Sequence, residues 1–114
     1  MSMKFTTRKV DGVTILNLSG RITLGEGSVT LRDAVKDVLA TGAKSILLNL
    51  ADVDYIDSSG LGELVSAYTS AKNQAAALKL LKLTQKVLDL LQLTKLYTVF
   101  DITDDEASAI ASFK

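Results

Sequence analysis

Histidine, cysteine, tryptophan and proline are all absent from the 114-residue chain. Without His and Cys there is no zinc cage, thiol nucleophile, Ser-His-Asp triad or phosphohistidine relay. Without Cys there are no disulfides, and nothing suggests a secreted scaffold. No apolar run approaches about 18 residues, so no membrane span is expected. The opening Met-Ser-Met-Lys-Phe lacks a signal peptide's apolar core, which makes the cytoplasm the expected compartment. An excess of one charge is lacking too. Thirteen basic residues balance thirteen acidic ones, which argues against steering onto nucleic acid. Chemistry is left to Asp, Glu, Ser, Thr, Tyr, Lys and Arg.

What is present fits one globular α/β domain over residues 1–114, with 47% hydrophobic and 23% charged residues. The halves differ in charge. Residues 1–50 carry seven basic and four acidic side chains, and residues 51–114 carry six and nine. No basic residue lies between Lys44 and Lys72, where Asp52, Asp54, Asp57 and Glu63 all fall.

Phe5–Val10 and Val13–Leu18 read as two strands joined by a tight Asp11-Gly12 turn. Gly20–Gly27, with three glycines, reads as an irregular connection. Leu31, Val35 and Val38/Leu39 recur at helical spacing over Ser28–Thr41, and Gly42 is a natural stop. Ser45–Leu50 is apolar on both faces, as a central strand under helices should be. An acidic loop precedes a helix over Ser59–Gln74, with Leu61, Leu64, Val65 and Tyr68 in one stripe. Leu78–Leu83 reads as strand, Thr84–Leu91 as a short helix and Val99–Ile102 as strand. Thr103-Asp104-Asp105-Glu106 has the capping-box pattern of a last helix running toward Phe113. The order predicts a mainly parallel mixed sheet with helices packed against it, about four in number, and an antiparallel hairpin at its start.

One segment asks for more than a structural account: Asp52-Val-Asp54-Tyr-Ile-Asp57-Ser58-Ser59-Gly60-Leu61-Gly62-Glu63. It lies at the carboxyl end of the most buried strand, where open α/β sheets put their sites. Free N–H groups at the start of the following helix favour an anion. Capping by Asp57, Ser58 or Ser59 explains one of these residues, but not three aspartates, two serine hydroxyls and two glycines together. A phospho-Asp receiver would need an early acidic pair and a late lysine, and neither is in place. A haloacid-dehalogenase-type phosphatase would match Asp52-Val53-Asp54 but needs a positioned lysine and a longer core. No Gly-x4-Gly-Lys-Ser/Thr loop occurs.

Asn49 to Gly62, with its Tyr-Ile-Asp-Ser-Ser-Gly-Leu-Gly string, resembles the signature of STAS domains, specifically the bacterial anti-sigma-factor antagonists. The resemblance covers essentially the whole chain, including the hairpin ending in Gly20 and the Leu88-x2-Leu91-x4-Leu96 pattern. It implies a non-enzymatic switch without a cofactor or metal. An anti-sigma factor with Ser/Thr kinase activity binds the antagonist and phosphorylates the serine after the motif aspartate, here Ser58. The unmodified form captures the anti-sigma factor and frees the sigma factor, and a metal-dependent phosphatase resets the cycle. Asp57, Ser58, Ser59, Gly60, Gly62, Glu63 and Thr23 are the implied partner-binding residues, with Ser66 and Ser70 continuing the same helix. No contact with nucleic acid or membrane is implied. Two departures stand out. Gly20-Arg21-Ile22-Thr23 has no carboxylate where related antagonists often carry one, and Lys95 sits where they often have glycine. The rival reading is a STAS-like scaffold or accessory subunit of a signalling complex or transporter, in which Ser58 and Ser59 only cap a helix.

Overall fold

Val10 and Val13 close a two-residue turn whose Asp11 and Gly12 both adopt positive φ, 51° and 82°. That geometry matches the twist of a hairpin and sets β1 (Lys4–Val10) antiparallel to β2 (Val13–Ile22). The computed structural model describes residues 3–114; Met1 and Ser2, which open the stretch read above for a leader, lie outside the described residues. The chain continues through α1 (Glu26–Ala40), β3 (Ser45–Ile56), α2 (Ser58–Asn73), β4 (Ala77–Leu81), α3 (Gln85–Leu93), a 3-10 turn at Leu96–Thr98, β5 (Ile102–Thr103) and α4 (Glu106–Ala111). The five strands lie in chain order, and every pair after the hairpin is parallel.

Alternation along the strands divides the core into two layers. Leu16, Leu18, Ile46, Leu48, Leu50, Leu78 and Leu80 pack on one face with Leu31, Val35, Leu61, Leu64, Val87 and Leu91 from the first three helices. Val13, Ile15, Leu47 and Leu81 pack on the other face beneath Ala109 and Ile110 of α4. The doubly apolar reading of residues 45–50 follows from this arrangement, since β3 is covered on both sides. Only Asn49 breaks the run, and its amide donates to Asn17 Oδ1 across the strand pair at 2.9 Å.

The first parts of two expected loops are strand, and Glu26 and Gly27 of the first open α1. β2 runs on through Gly20 and Arg21 to Ile22, and β3 runs through Asp52 and Asp54 to Ile56. The extensions pair with one another, Ser19 with Asp52 and Ile22 with Ile56, across two register shifts. Val53 and Ile56 are buried while Asp52, Asp54 and Tyr55 face water. Burial three residues apart is the mark of a bulged strand and hides the period-two signal. The final helix is capped two residues later than the expected box. Asp105, not Thr103, accepts from the N–H three residues on, that of Ser108, at 2.8 Å. Lys95 holds a left-handed φ of 63°, a conformation that glycine adopts without steric cost.

Candidate functional site

The ends of β2 and β3 and the starts of α1 and α2 meet at one point, and Asp57 ties them together. Its Oδ1 accepts from Gly60 N at 2.8 Å, capping α2, while its Oδ2 accepts from Leu24 N at 3.0 Å in the β2–α1 connection. These two N–H groups, Gly60 first, hold its carboxyl below the usual carboxylate range. With both oxygens engaged, Asp57 builds the site and does not present a free carboxylate.

The two serines that follow have different surroundings. Ser59 is half-buried, and its Oγ lies 3.4 Å from Ser28 Oγ, which also donates to Thr23 O at 2.9 Å. Ser28 itself is 3% exposed. Ser58 is the first residue of α2 and is exposed, and among the described residues its hydroxyl has no hydrogen-bond partner. A hydroxyl in that position is accessible to a modifying enzyme, while its neighbour's is held in the packing between two helices.

The glycines also separate. A Cβ on Gly60 would lie 2.0 Å from Ile22 O, so α2 can approach the end of β2 only with glycine there. Gly27 does the same for α1, where a Cβ would meet Arg21 O at 2.6 Å. At Gly62 nothing lies within 4 Å of the corresponding position, and the residue is exposed. Gly60 therefore serves the packing, and Gly62 leaves bare backbone on the surface one turn beyond Ser58.

Glu63 pairs with Arg32 of α1, its Oε2 accepting from Arg32 Nε at 3.2 Å. The pair lies at one end of a groove between α1 and α2 that also includes Val35, Ser66, Ala67 and Ser70. Thr23 is half-buried, and its carbonyl accepts from both Ser28 N and Ser28 Oγ. The structure thus brings Thr23, Asp57, Ser58, Ser59, Gly60 and Glu63 to one end of the domain.

Three residues of this end escaped the sequence reading. Ser28 and Arg32 make the two α1–α2 bridges, and Leu24 stands 80% exposed beside the Asp57 contact. A leucine set between Thr23 and Gly25, with no periodic neighbours, was the one available sign of the last. Among the described residues there is no cluster of three metal-ligating side chains, and no helix is long and apolar enough to cross a membrane.

The sequence profile of the STAS domain matches residues 4–109. The anti-sigma-B factor antagonist of Bacillus subtilis is 33% identical over 88 residues, which is 77% of this chain and 79% of that one. The crystal structure of a candidate anti-sigma factor antagonist from Thermotoga maritima superposes with a TM-score of 0.87 at 30% identity, covering 95% of this chain and 92% of the other. SpoIIAA, a Bacillus cell fate determinant, shares the fold at 19% identity. Its unphosphorylated and phosphorylated forms give TM-scores of 0.72 and 0.73, covering 96% and 97% of this chain and 97% and 100% of theirs.

Proposed function

The chain belongs to the STAS domain family, and from that membership we propose that it is an anti-sigma factor antagonist switched by phosphorylation of Ser58. The unmodified domain binds an anti-sigma factor that is also a Ser/Thr kinase and so releases a sigma factor. Phosphate on Ser58 ends the complex, and a metal-dependent phosphatase restores it. The domain is not an enzyme, takes no cofactor and acts in the cytoplasm. The observation that carries the reading is the contrast between the free, exposed Ser58 hydroxyl and the engaged Asp57 and Ser59 beside it.

The energetics support a switch that needs no refolding. A phosphoserine adds roughly −1.5 to −2 charges, and at the first position of α2 the helix dipole favours it by about 0.3–1 kcal/mol. The folded domain tolerates the charge. A docked partner does not, because one acidic group about 5 Å from another across a partly desolvated interface costs about 3 kcal/mol at an effective dielectric of 20. That corresponds to roughly a hundredfold in affinity.

Calorimetric titration of the cognate anti-sigma factor tests the reading. Ser58→Ala is expected to bind like the wild type and to stay bound when ATP is added. Ser58→Asp is expected to keep the wild-type circular dichroism and to bind roughly a hundredfold more weakly. Equal affinity for Ser58→Asp and the wild type removes the electrostatic account. ATP-dependent release of Ser58→Ala moves the acceptor elsewhere, with Ser59 first in line.

A further inference from the structure

Leu24 is 80% exposed in a connection whose main chain is held on every side. Its N–H donates to Asp57 Oδ2 at 3.0 Å. Before it, the Thr23 carbonyl accepts from Ser28 N at 3.0 Å and from Ser28 Oγ at 2.9 Å. After it, the Gly25 carbonyl accepts from Val29 N at 3.0 Å. A large apolar side chain is thus set in water on a fixed backbone. Resting on the switch proposed above, we infer that Leu24 is the apolar anchor of the anti-sigma factor contact, entering a pocket of the partner beside the surface that faces Ser58.

Proximity makes the partner of Ser58 cover Leu24 as well. Asp57 adjoins Ser58 and its carboxylate reaches Leu24 N, so bond lengths keep the Cα atoms of Leu24 and Ser58 within about 12 Å of each other. A standard interface covers roughly 800 Å2 of each partner, a disc of about 16 Å radius. A protein centred on Ser58 therefore takes Leu24 out of water. The connection is already ordered, so little of that gain is offset by the cost of fixing a loop.

Composition decides what kind of contact this is. Residues 20–25 contain no acidic side chain, and their one charge, Arg21, lies over the Tyr55 ring at 6.0 Å. Thr23 is half-buried. Leu24 is what the connection offers a partner. A purely local role is available, because Leu24 precedes the cap Gly25 and Val29 is the fourth residue after it, the two positions that staple a helix start. A closed staple would cover both side chains. Leu24 at 80% and Val29 at 43% exposure leave it open, and together they present apolar surface at the start of α1. Burial of Leu24 by the partner should contribute roughly 10–30-fold in affinity relative to alanine.

Calorimetric titration of the full chain with the cognate anti-sigma factor, at about 0.05 and 0.5 M salt, tests the inference. Leu24→Ala is expected to bind roughly 10–30-fold more weakly at both salt concentrations, because salt does not screen apolar burial. The loss in Ser58→Asp should shrink at the higher one. Leu24→Ala should keep the wild-type melting temperature, which the loss of a closed staple would lower. Leu93→Ala truncates a leucine that is 81% exposed at the far end of α3. The parallel β4–α3–β5 connection puts that end at the opposite edge of the sheet, and the variant should bind like the wild type. Wild-type affinity for Leu24→Ala overturns the inference, and beside a weakened Ser58→Asp it leaves the switch standing. An equal loss in Leu93→Ala, or a Leu24→Ala loss that vanishes at high salt, also overturns it. A weakened Leu24→Ala beside an unweakened Ser58→Asp upholds the anchor and removes the switch.

Discussion

At Asp57 two carboxylate oxygens are divided between two elements, one capping α2 through Gly60 and one holding the β2–α1 connection through Leu24. Its folded pKa is lowered, so its contribution to stability is complete above the unfolded value of about 3.9 and is lost as pH falls through the folded one. Urea unfolding from pH 7 downward should therefore show Asp57→Asn destabilised at neutral pH, with the difference from the wild type shrinking only once pH falls below about 3.9. The two glycines make an opposite pair. Gly60→Ala forces the start of α2 off Ile22 and should cost about 1–3 kcal/mol. Gly62→Ala meets open space and should gain about 0.5–1 kcal/mol from helix propensity. Thermal melts of the two variants should move in opposite directions. At this scale the sequence named Asp57 as one of three possible caps and could not rank Gly60 against Gly62. What separates them is the position of the Ile22 carbonyl, thirty-eight residues away along the chain and invisible to any local pattern.

Among the elements, the hairpin and the doubly buried β3 were legible because both obey a local rule, a two-residue turn in one case and an apolar run broken only at Asn49 in the other. The extensions of β2 and β3 were not. Acidic residues are poor strand formers in isolation; Asp52 is held by pairing with Ser19, and Asp54 is the residue passed over at the register shift between Val53 and Tyr55, whose partners Gly20 and Arg21 lie in a distant segment. The capping box failed for a related reason. Thr103 is held in β5, paired with Leu81, and the helix starts at Glu106 behind Asp105. The helix so begun is only six residues long and depends on tertiary contacts. Arg8 pairs with Glu106 at one end, and Lys79 donates to Ser112 O at 2.9 Å at the other, but both are surface contacts. Ile110, 6% exposed over Ile15, Leu47 and Leu81, makes the larger contribution. Ile110→Ala should lower stability by about 2–5 kcal/mol in urea titration, while Arg8→Ala should shift the midpoint far less.

Over the whole molecule, the domain gathers the residues of the proposed switch at one end, where β2 and β3 finish and α1 and α2 begin. The mainly parallel class of the sheet and its starting hairpin followed from the alternation of strand and helix patterns, while the strand order and the pairing of β2 with β3 came from the structure. The site end was legible as a place, residues 52–63, but not as an arrangement. Leu24, Ser28 and Arg32 reach it from another element, and only the parallel pairing of β2 with β3 brings them there. That arrangement leaves Ser58 as the exposed, unengaged hydroxyl of the motif, the group that carries the signal in the proposed switch. Phosphopeptide mass spectrometry of the protein isolated from its own cells, growing and stressed, tests it most directly. Phosphate is expected on Ser58 at an occupancy that changes between the two conditions. Ser58 unmodified in both, with a protein partner still co-purifying, would contradict it and leave the serine as the opening residue of a helix.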